Sequence, residues 1–396
     1  MKVEVVLFGA SQKGTRALPF LKEKYKVVAF SDNDSEKWGD KIEDISIISP
    51  KEMLHLVEKK NVLVVITSSY YDEIYSDLHQ LGVSNSILDE QKNVDCYFNS
   101  VIEAEKLGIS IMHSNSKVII SREELKQSIV LSINNINPYL YDTVTNFEYL
   151  INSVLPVTIG EKKIVDFSAP REHMLTKINT SFYFSSIIEG VEPLELYLFK
   201  YRPKPGDIVF DCGAYCGVST YLFSKMVGAS GKVFAFEPDQ QNYEMLIKNI
   251  QNLNMKNVIP INKGIYSANT EISFYSEGGS SSAAVEYSNQ SGRSFLSKIN
   301  VVTLETAFNE LGLNRLDFVK MDIEGAEIEA ISGSLTFLRE KAINFAIASY
   351  HCINGQYTFP KLEELFSIIN YKVETGFNPH FTTWAYKNHW MDMTQN

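Results

Sequence analysis

Apolar and polar residues are arranged along the chain in two blocks of strand-then-helix texture, with a stretch of different texture between them. In the first block VEVVLFG (Val3–Gly9) is a continuous apolar run, the pattern of a strand buried on both faces. TRALPFLKEK follows with helical spacing, KVVAFSDND reads as a second strand, PKEMLHLVEKK as a helix and NVLVVITSS as a third strand. YDEIYSDLHQLG is a further amphipathic helix that stops at Gly82. This alternation predicts a parallel, right-handed, doubly wound sheet over residues 1–90.

Residues 91–200 differ. SREELKQSIVLSINNINPYLYDTVTNFEYLINSVL spaces its apolar residues as a helix does, and Pro156–Glu189 is mixed, with Phe182, Tyr183 and Phe184 close together. The expectation is a mostly helical connector, followed by an extension packed on the next domain. Neither a low-complexity tract nor a 20–50-residue repeat interrupts it.

Strand–helix alternation returns over residues 201–396. DIVFDCGA, KVFAFEPD, NVIPINKGIYS, LDFVKMDIEGAE, INFAIASYH, YKVETGF and TTWAYKN read as seven strands, with helices VSTYLFSKMV and QNYEMLIKNIQNLN among them. The last two strands are close enough to form an antiparallel hairpin, and ISFYSEGGSSSAAVEYS is a glycine- and serine-rich interruption. The fold class is therefore α/β, with two Rossmann-like domains joined by the connector.

Composition narrows the choice little. With 44% hydrophobic and 21% charged residues the chain can bury a core in each domain. A net charge of −11 argues against a broad nucleic-acid or anionic-membrane surface. No apolar run is long enough to span a bilayer, and the apolar N-terminal stretch runs straight into a glycine turn, unlike a signal peptide. The four cysteines are scattered, which fits a reducing, cytoplasmic setting. Cys212 and Cys216 have no second pair or histidine set nearby, so they read as small core or loop residues rather than zinc ligands.

Chemistry concentrates at three strand ends. In DIVFDCGAYCGVSTYLF a strand ends at Asp211, the turn carries Gly213, Ala214 and Tyr215, and Gly217 precedes a helix. Glycines let backbone approach a ligand closely, and the helix offers free N–H groups. Glu237 ends the next strand, where a carboxylate can accept both ribose hydroxyls. The turn is not G-x-G-x-x-G, and a carboxylate in the loop repels a pyrophosphate but suits an ammonium and a sulfonium. This favours S-adenosylmethionine over a dinucleotide. The third strand end, VKMDIEGAE, gathers Asp322, Glu324 and Glu327 around Gly325. Such crowding can raise one carboxylate's pKa and make it a better base. Alternatively, Glu324 and Glu327 charge the first turn of the next helix.

DCGAYCGVST, FEPD and VKMDIEGAE together resemble the FkbM family of methyltransferases over roughly Tyr201 to Lys387. The resemblance implies a class I fold and O-methyl transfer from S-adenosylmethionine to a hydroxyl of a sugar, glycan or secondary metabolite. By it Asp211, Gly213 and Gly217 form the cofactor loop, Glu237 accepts the ribose, and Asp322 lies near the methyl group. The family often has an aspartate where this chain has Glu305, so Glu305 takes no role.

A hydroxyl acceptor needs a base or a polarising group. Asp322, Glu324 and His351, the last at the end of the fifth strand, are the candidates, against a merely structural histidine. Tyr215 is placed to bond or cover the cofactor, and SEGGSSSAAVEY reads as a lid or as a long turn. No metal is expected. In the N-terminal block Gly9 and Gly14 flank a turn, Ser11 replaces the middle glycine, and Asp32 stands where a ribose carboxylate would. That block reads as a nucleotide or nucleotide-sugar site, or as a structural or docking module. Two competing functions are an NAD(P)-dependent oxidoreductase using the N-terminal domain and a non-catalytic adaptor. A homo-oligomer is compatible with either domain.

Overall fold

The structure, a computed structural model, describes residues 4–60, 62–68, 74, 77–78, 81, 83, 86–88, 91–114, 117–132, 136–184, 192–275, 283–284, 296–353, 356–378 and 380–387. The chain divides into two compact units, Met1–Ala169 and Pro170–Asn396.

In the first unit, Glu4–Phe8 lies between Lys26–Ser31 and Leu63–Ile66, all parallel. Ile45–Ile48 and Ser86–Leu88 extend the two sides in parallel, and the short Lys41–Ile42 caps one edge antiparallel. Val5, Val6 and Leu7 are fully buried, as are Val64, Val65 and Ile66. The unbroken apolar runs therefore mark strands covered on both faces. Of the helix expected at YDEIYSDLHQLG, Ile74, Asp77 and Leu78 are helical and most of the rest lies outside the described residues.

The expectation of a mostly helical connector is corrected. Gln91–Lys106, Ile136–Thr145 and Phe147–Ser153 are helices. However, Ser110–Ser114, Lys117–Arg122, Gln127–Ser132, Val157–Ile159 and Lys162–Phe167 form a five-stranded sheet. Within SREELKQSIVLS, Lys126 turns the chain in the left-handed conformation, with φ of 53°. Val118 then faces Leu131 and Ile120 faces Ile129, and all four are fully buried. Three of these four side chains are β-branched, and their buried cross-strand pairing outweighs the helical spacing. The aromatic cluster is also a strand: Arg171–Leu175 and Thr180–Phe184 form an antiparallel hairpin belonging to the second unit.

The second unit is built on a seven-stranded sheet. Its elements are β1 (Ile208–Cys212), α1 (Val218–Val227), β2 (Lys232–Phe236), α2 (Gln240–Asn252), β3 (Val258–Ile261), β4 (Phe318–Met321), β5 (Asn344–Ala348), β6 (Lys372–Gly376) and β7 (Thr382–Tyr386). The order across the sheet is β3-β2-β1-β4-β5-β7-β6, with β7 antiparallel to both neighbours. Strand order reverses between β1 and β4, which opens a crevice above their carboxyl ends. Residues of β1 alternate between two cores. Phe210 and Cys212 pack with Phe236, Phe345 and Phe366 on one face, and Val209 packs with Phe223, Ala235 and Phe318 on the other.

A four-stranded sheet, not foreseen from the sequence, pairs Leu296–Val302 with Gly264–Ile265 and with Thr270–Tyr275, which in turn pairs with Ala283–Ala284. The candidate lid SEGGSSSAAVEY lies, apart from Ala283–Ala284, outside the described residues.

Candidate active site

The turn after β1 is held by backbone. Gly213 and Ala214 both donate to the carbonyl of Phe236 at 3.0 Å, and Gly217 donates to Ala214 at 2.8 Å. Gly213 has φ of +77°, and a Cβ there would stand 1.8 Å from the carbonyl oxygen of Asp322. Gly217 has φ of +91°, and its Cβ would stand 2.7 Å from Leu246. Gly213 is required by conformation and by backbone contact, and Gly217 chiefly by its conformation, since the end of the Leu246 side chain can shift. Tyr215, also at positive φ (50°), turns its N–H to Glu237.

Asp211 departs from the expectation of a carboxylate offered to a ligand. It is fully buried at the end of β1. Its Oδ2 accepts from Ser219 Oγ at 2.7 Å and Thr220 Oγ1 at 2.6 Å, both in the first turn of α1. Its Oδ1 lies 3.5 Å from Lys320 Nζ, which donates to the Gly213 carbonyl at 2.9 Å. Burial opposes the Lys320 charge, but Asp211 and Asp322 outweigh it and hold the lysine above its usual pKa. Asp211 thus braces the turn from beneath, because the hydroxyls of Ser219 and Thr220 and the Lys320 ammonium reach it first.

Glu237 stands just past β2 and is almost fully buried. Its Oε2 accepts from the Tyr215 N–H at 2.8 Å and its Oε1 from the Asp239 N–H at 3.0 Å. Burial, then the charge of Asp239, push its pKa up to about 7. The carboxylate keeps acceptor capacity beyond these two bonds, so it fits a ribose diol.

At the ends of β4 and β5 Asp322, Glu324, Glu327 and His351 meet, with Tyr197 against them. Glu327 is fully buried, with Oε1 accepting from the Ile323 N–H at 2.9 Å. The same oxygen lies 3.1 Å from His351 Nδ1. His351 Nε2 is 3.7 Å from Asp322 Oδ1 and 3.8 Å from Glu324 Oε2. Tyr197 donates to Asp322 Oδ2 at 3.1 Å. Burial disfavours the imidazolium, but Glu327, Glu324 and Asp322 together raise its pKa to about 10. These acidic neighbours favour the protonated ring, which must lose a proton before Nε2 can act as a base or accept a ligand bond. Cys212 and Cys216 are buried, and burial drives both thiols well above their usual pKa. Glu305 is exposed in the first turn of the helix Leu304–Glu310.

Several contributors carried no assignment from the sequence. Asn249 donates to the carbonyls of Tyr183 and Cys216 at 2.8 Å each and accepts from the Tyr183 N–H at 2.7 Å. It pins the hairpin to the turn after β1. Lys320 had a visible signal, a lysine inside an otherwise apolar strand.

In the N-terminal unit Gly9 has φ of +116°, and a Cβ on Gly14 would stand 2.3 Å from the Gly9 carbonyl oxygen. Asp32 Oδ2 accepts from the Ala10 N–H at 2.8 Å and from Lys37 at 3.2 Å, and Oδ1 accepts from the Asp34 N–H at 3.0 Å. Its carboxylate closes the turn.

A seven-stranded sheet with one reversed final strand, a glycine turn after β1 and acidic groups after β2 and β4 define a class I methyltransferase. Residues 211–377 match the family model of the methyltransferase FkbM domain, and residues 1–88 match that of the C2185-like N-terminal domain. The chain belongs to the S-adenosylmethionine-dependent methyltransferases that carry the FkbM domain. It is 30% identical over 141 residues to the Saccharolobus solfataricus protein named "Probable cobalt-precorrin-6B C(15)-methyltransferase (decarboxylating)", covering 32% of this chain and 69% of that one. Among solved structures it is similar to methyltransferase FkbM from Methylobacillus flagellatus KT, at 15% identity and a TM-score of 0.39, covering 97% of this chain and 90% of the other. It is also similar to precorrin-6y C5,15-methyltransferase from Geobacter metallireducens GS-15, at 16% identity and a TM-score of 0.34, covering 52% and 94%. Among the described residues no helix is long and apolar enough to cross a membrane.

Proposed function

We propose that the chain moves a methyl group from S-adenosylmethionine to a hydroxyl of a sugar, glycan or secondary metabolite. The observation that carries this reading is the contact of two strand ends. The Gly213 turn touches the Asp322 backbone, and Asp322, Glu324 and His351 converge beside it. S-adenosylmethionine, when bound, supplies an already activated methyl group. The protein's part is alignment and removal of the acceptor's proton. The Gly213–Gly217 turn receives the donor, with Ala214 and Tyr215 along it, and Glu237 accepts the ribose hydroxyls. Asp322 lies at the methyl end, oriented by Tyr197. Glu324 is the most exposed of the convergent groups, with 31% of its side chain accessible against 12% for His351. It is therefore the group best placed to take a proton from an incoming hydroxyl.

Incubation with tritiated S-adenosylmethionine and fractionated cell extract tests this without assuming an acceptor. Label in a small, base-stable ether product supports the reading. Label only in base-labile esters or in carbon-bound methyl groups contradicts it.

For the N-terminal unit we propose a nucleotide or nucleotide-sugar ligand at the turn of Gly9, Gly14 and Asp32. The left-handed Gly9 beside the second strand's carboxylate supports it. Calorimetric titration with nucleoside diphosphates and nucleotide-sugars checks it, and Asp32→Ala abolishes the binding it predicts.

A further inference from the structure

The cluster at the ends of β4 and β5 has more order than acid–base chemistry needs. Asp322, Glu324 and His351 each offer one donor atom, and the three atoms lie within 4.8 Å of one another. Donors bound at about 2.1 Å to one ion stand roughly 3.0 Å apart when adjacent and roughly 4.2 Å when opposed. The observed separations of 3.7 and 3.8 Å from Nε2 to the two carboxylates are too long for hydrogen bonds. They do suit co-ligation after a small side-chain rotation.

The histidine is also presented as a ligand is. Nδ1 faces the fully buried Glu327, whose Oε1 is held by the Ile323 N–H. A carboxylate 3.1 Å from the far nitrogen is placed to orient the ring, the arrangement that commonly supports metal-bound histidines, although Nδ1 makes no well-formed hydrogen bond to it here. Nε2 is left aimed at Asp322 and Glu324. Both Nε2 and Asp322 Oδ1 are buried from solvent without a hydrogen-bond partner, a costly condition that a shared cation would relieve.

We propose that Asp322, Glu324 and His351 bind a divalent cation of the Mn²⁺ type, and that its open positions take two adjacent oxygens of the methyl acceptor. This rests on the methyltransferase reading above and narrows its acceptor. Two carboxylate oxygens and one imidazole suit Mn²⁺ better than Ca²⁺. A chelating acceptor, such as a vicinal diol or an α-hydroxy acid, is then selected over an isolated hydroxyl. The cation lowers the hydroxyl's pKa. The second oxygen of Glu324, not used as a ligand, takes the hydroxyl proton and passes it to solvent, the O–CH₃ bond forms as the S–CH₃ bond breaks, and the electron pair stays on the neutral thioether sulfur.

The test is electron paramagnetic resonance of Mn²⁺ titrated into the chelator-treated full chain, with S-adenosylhomocysteine binding measured by calorimetry on the same samples. One Mn²⁺ per chain is expected. His351→Gln and Glu324→Gln should each weaken it at least tenfold, and Glu327→Gln, which removes only the orienting carboxylate, roughly tenfold. Their retained S-adenosylhomocysteine binding shows that they fold. Wild-type protein that binds S-adenosylhomocysteine but not Mn²⁺ overturns the cation site and leaves the methyltransferase reading standing. Variants that keep wild-type Mn²⁺ affinity overturn the assignment of ligands. Failure to bind S-adenosylhomocysteine at all overturns the reading beneath it.

Discussion

Gly213 meets the backbone of Asp322 so closely that a single Cβ would lie 1.8 Å from its carbonyl oxygen. This contact joins the turn proposed to receive the methyl donor to the strand end proposed to face the acceptor. Gly213→Ala must open the contact and also hold alanine at φ of +77°. A loss of ~3 kcal/mol or more in denaturant unfolding is expected, with cofactor affinity falling further than stability accounts for. Wild-type affinity in that variant would show that the two strand ends act independently.

Glu237 gives the site a pH dependence. Its folded pKa of about 7 is raised above the ordinary carboxylate value, by burial first and Asp239 second. Its contribution to stability is therefore complete below about 4.5 and is lost as pH rises through about 7. Binding runs the other way, since a ribose diol donates to the ionised carboxylate. S-adenosylhomocysteine affinity should rise from pH 5.5 to 8 and level off above about 7, at most tenfold per pH unit. Glu237→Gln should bind weakly and lose this dependence. Calorimetry across that range checks both, and a wild-type affinity that is flat with pH would remove Glu237 from the ribose site.

Asn249 replaces a strand partner for Tyr183, donating to its carbonyl and accepting its N–H while holding the Cys216 carbonyl. Asn249→Ala leaves these buried groups without bonds, at a cost of about 3 kcal/mol. Hydrogen exchange at Tyr183 should accelerate in the variant more than exchange in β5. Equal acceleration at both would mean that Asn249 supports the whole unit rather than the hairpin.

Lys320 and Asp211 form a buried pair beneath the turn. Lys320→Met strands the Asp211 charge and should cost about 3–5 kcal/mol. Adding Asp211→Asn should recover part of that loss, because the double variant buries no charge. A double variant less stable than Lys320→Met would show that Asp211 is held mainly by Ser219 and Thr220.

The site was legible where chemistry is written in consecutive residues. The turn from Asp211 to Gly217, Glu237 after β2, and Asp322 to Glu327 after β4 all lie at the strand ends their spacing implied. The direction of side chains was less legible. Asp211 reads as a loop carboxylate, yet hydroxyls eight and nine residues on, at Ser219 and Thr220, turn it inward. Asn249 was invisible because its partner Tyr183 lies 66 residues away in a hairpin with no motif of its own. The sheet over Ser110–Phe167 was missed for another reason. Apolar residues in short strands joined by a tight turn can mimic helical spacing, and the buried facing pairs Val118–Leu131 and Ile120–Ile129, rich in β-branched residues, separate the two.

Calorimetric titration of the full chain with S-adenosylhomocysteine tests the central claim most directly. The account predicts one site per chain, with binding abolished by Gly213→Ala and weakened by Glu237→Gln. A folded wild-type protein that takes up no S-adenosylhomocysteine, or takes it up unchanged in both variants, would contradict it.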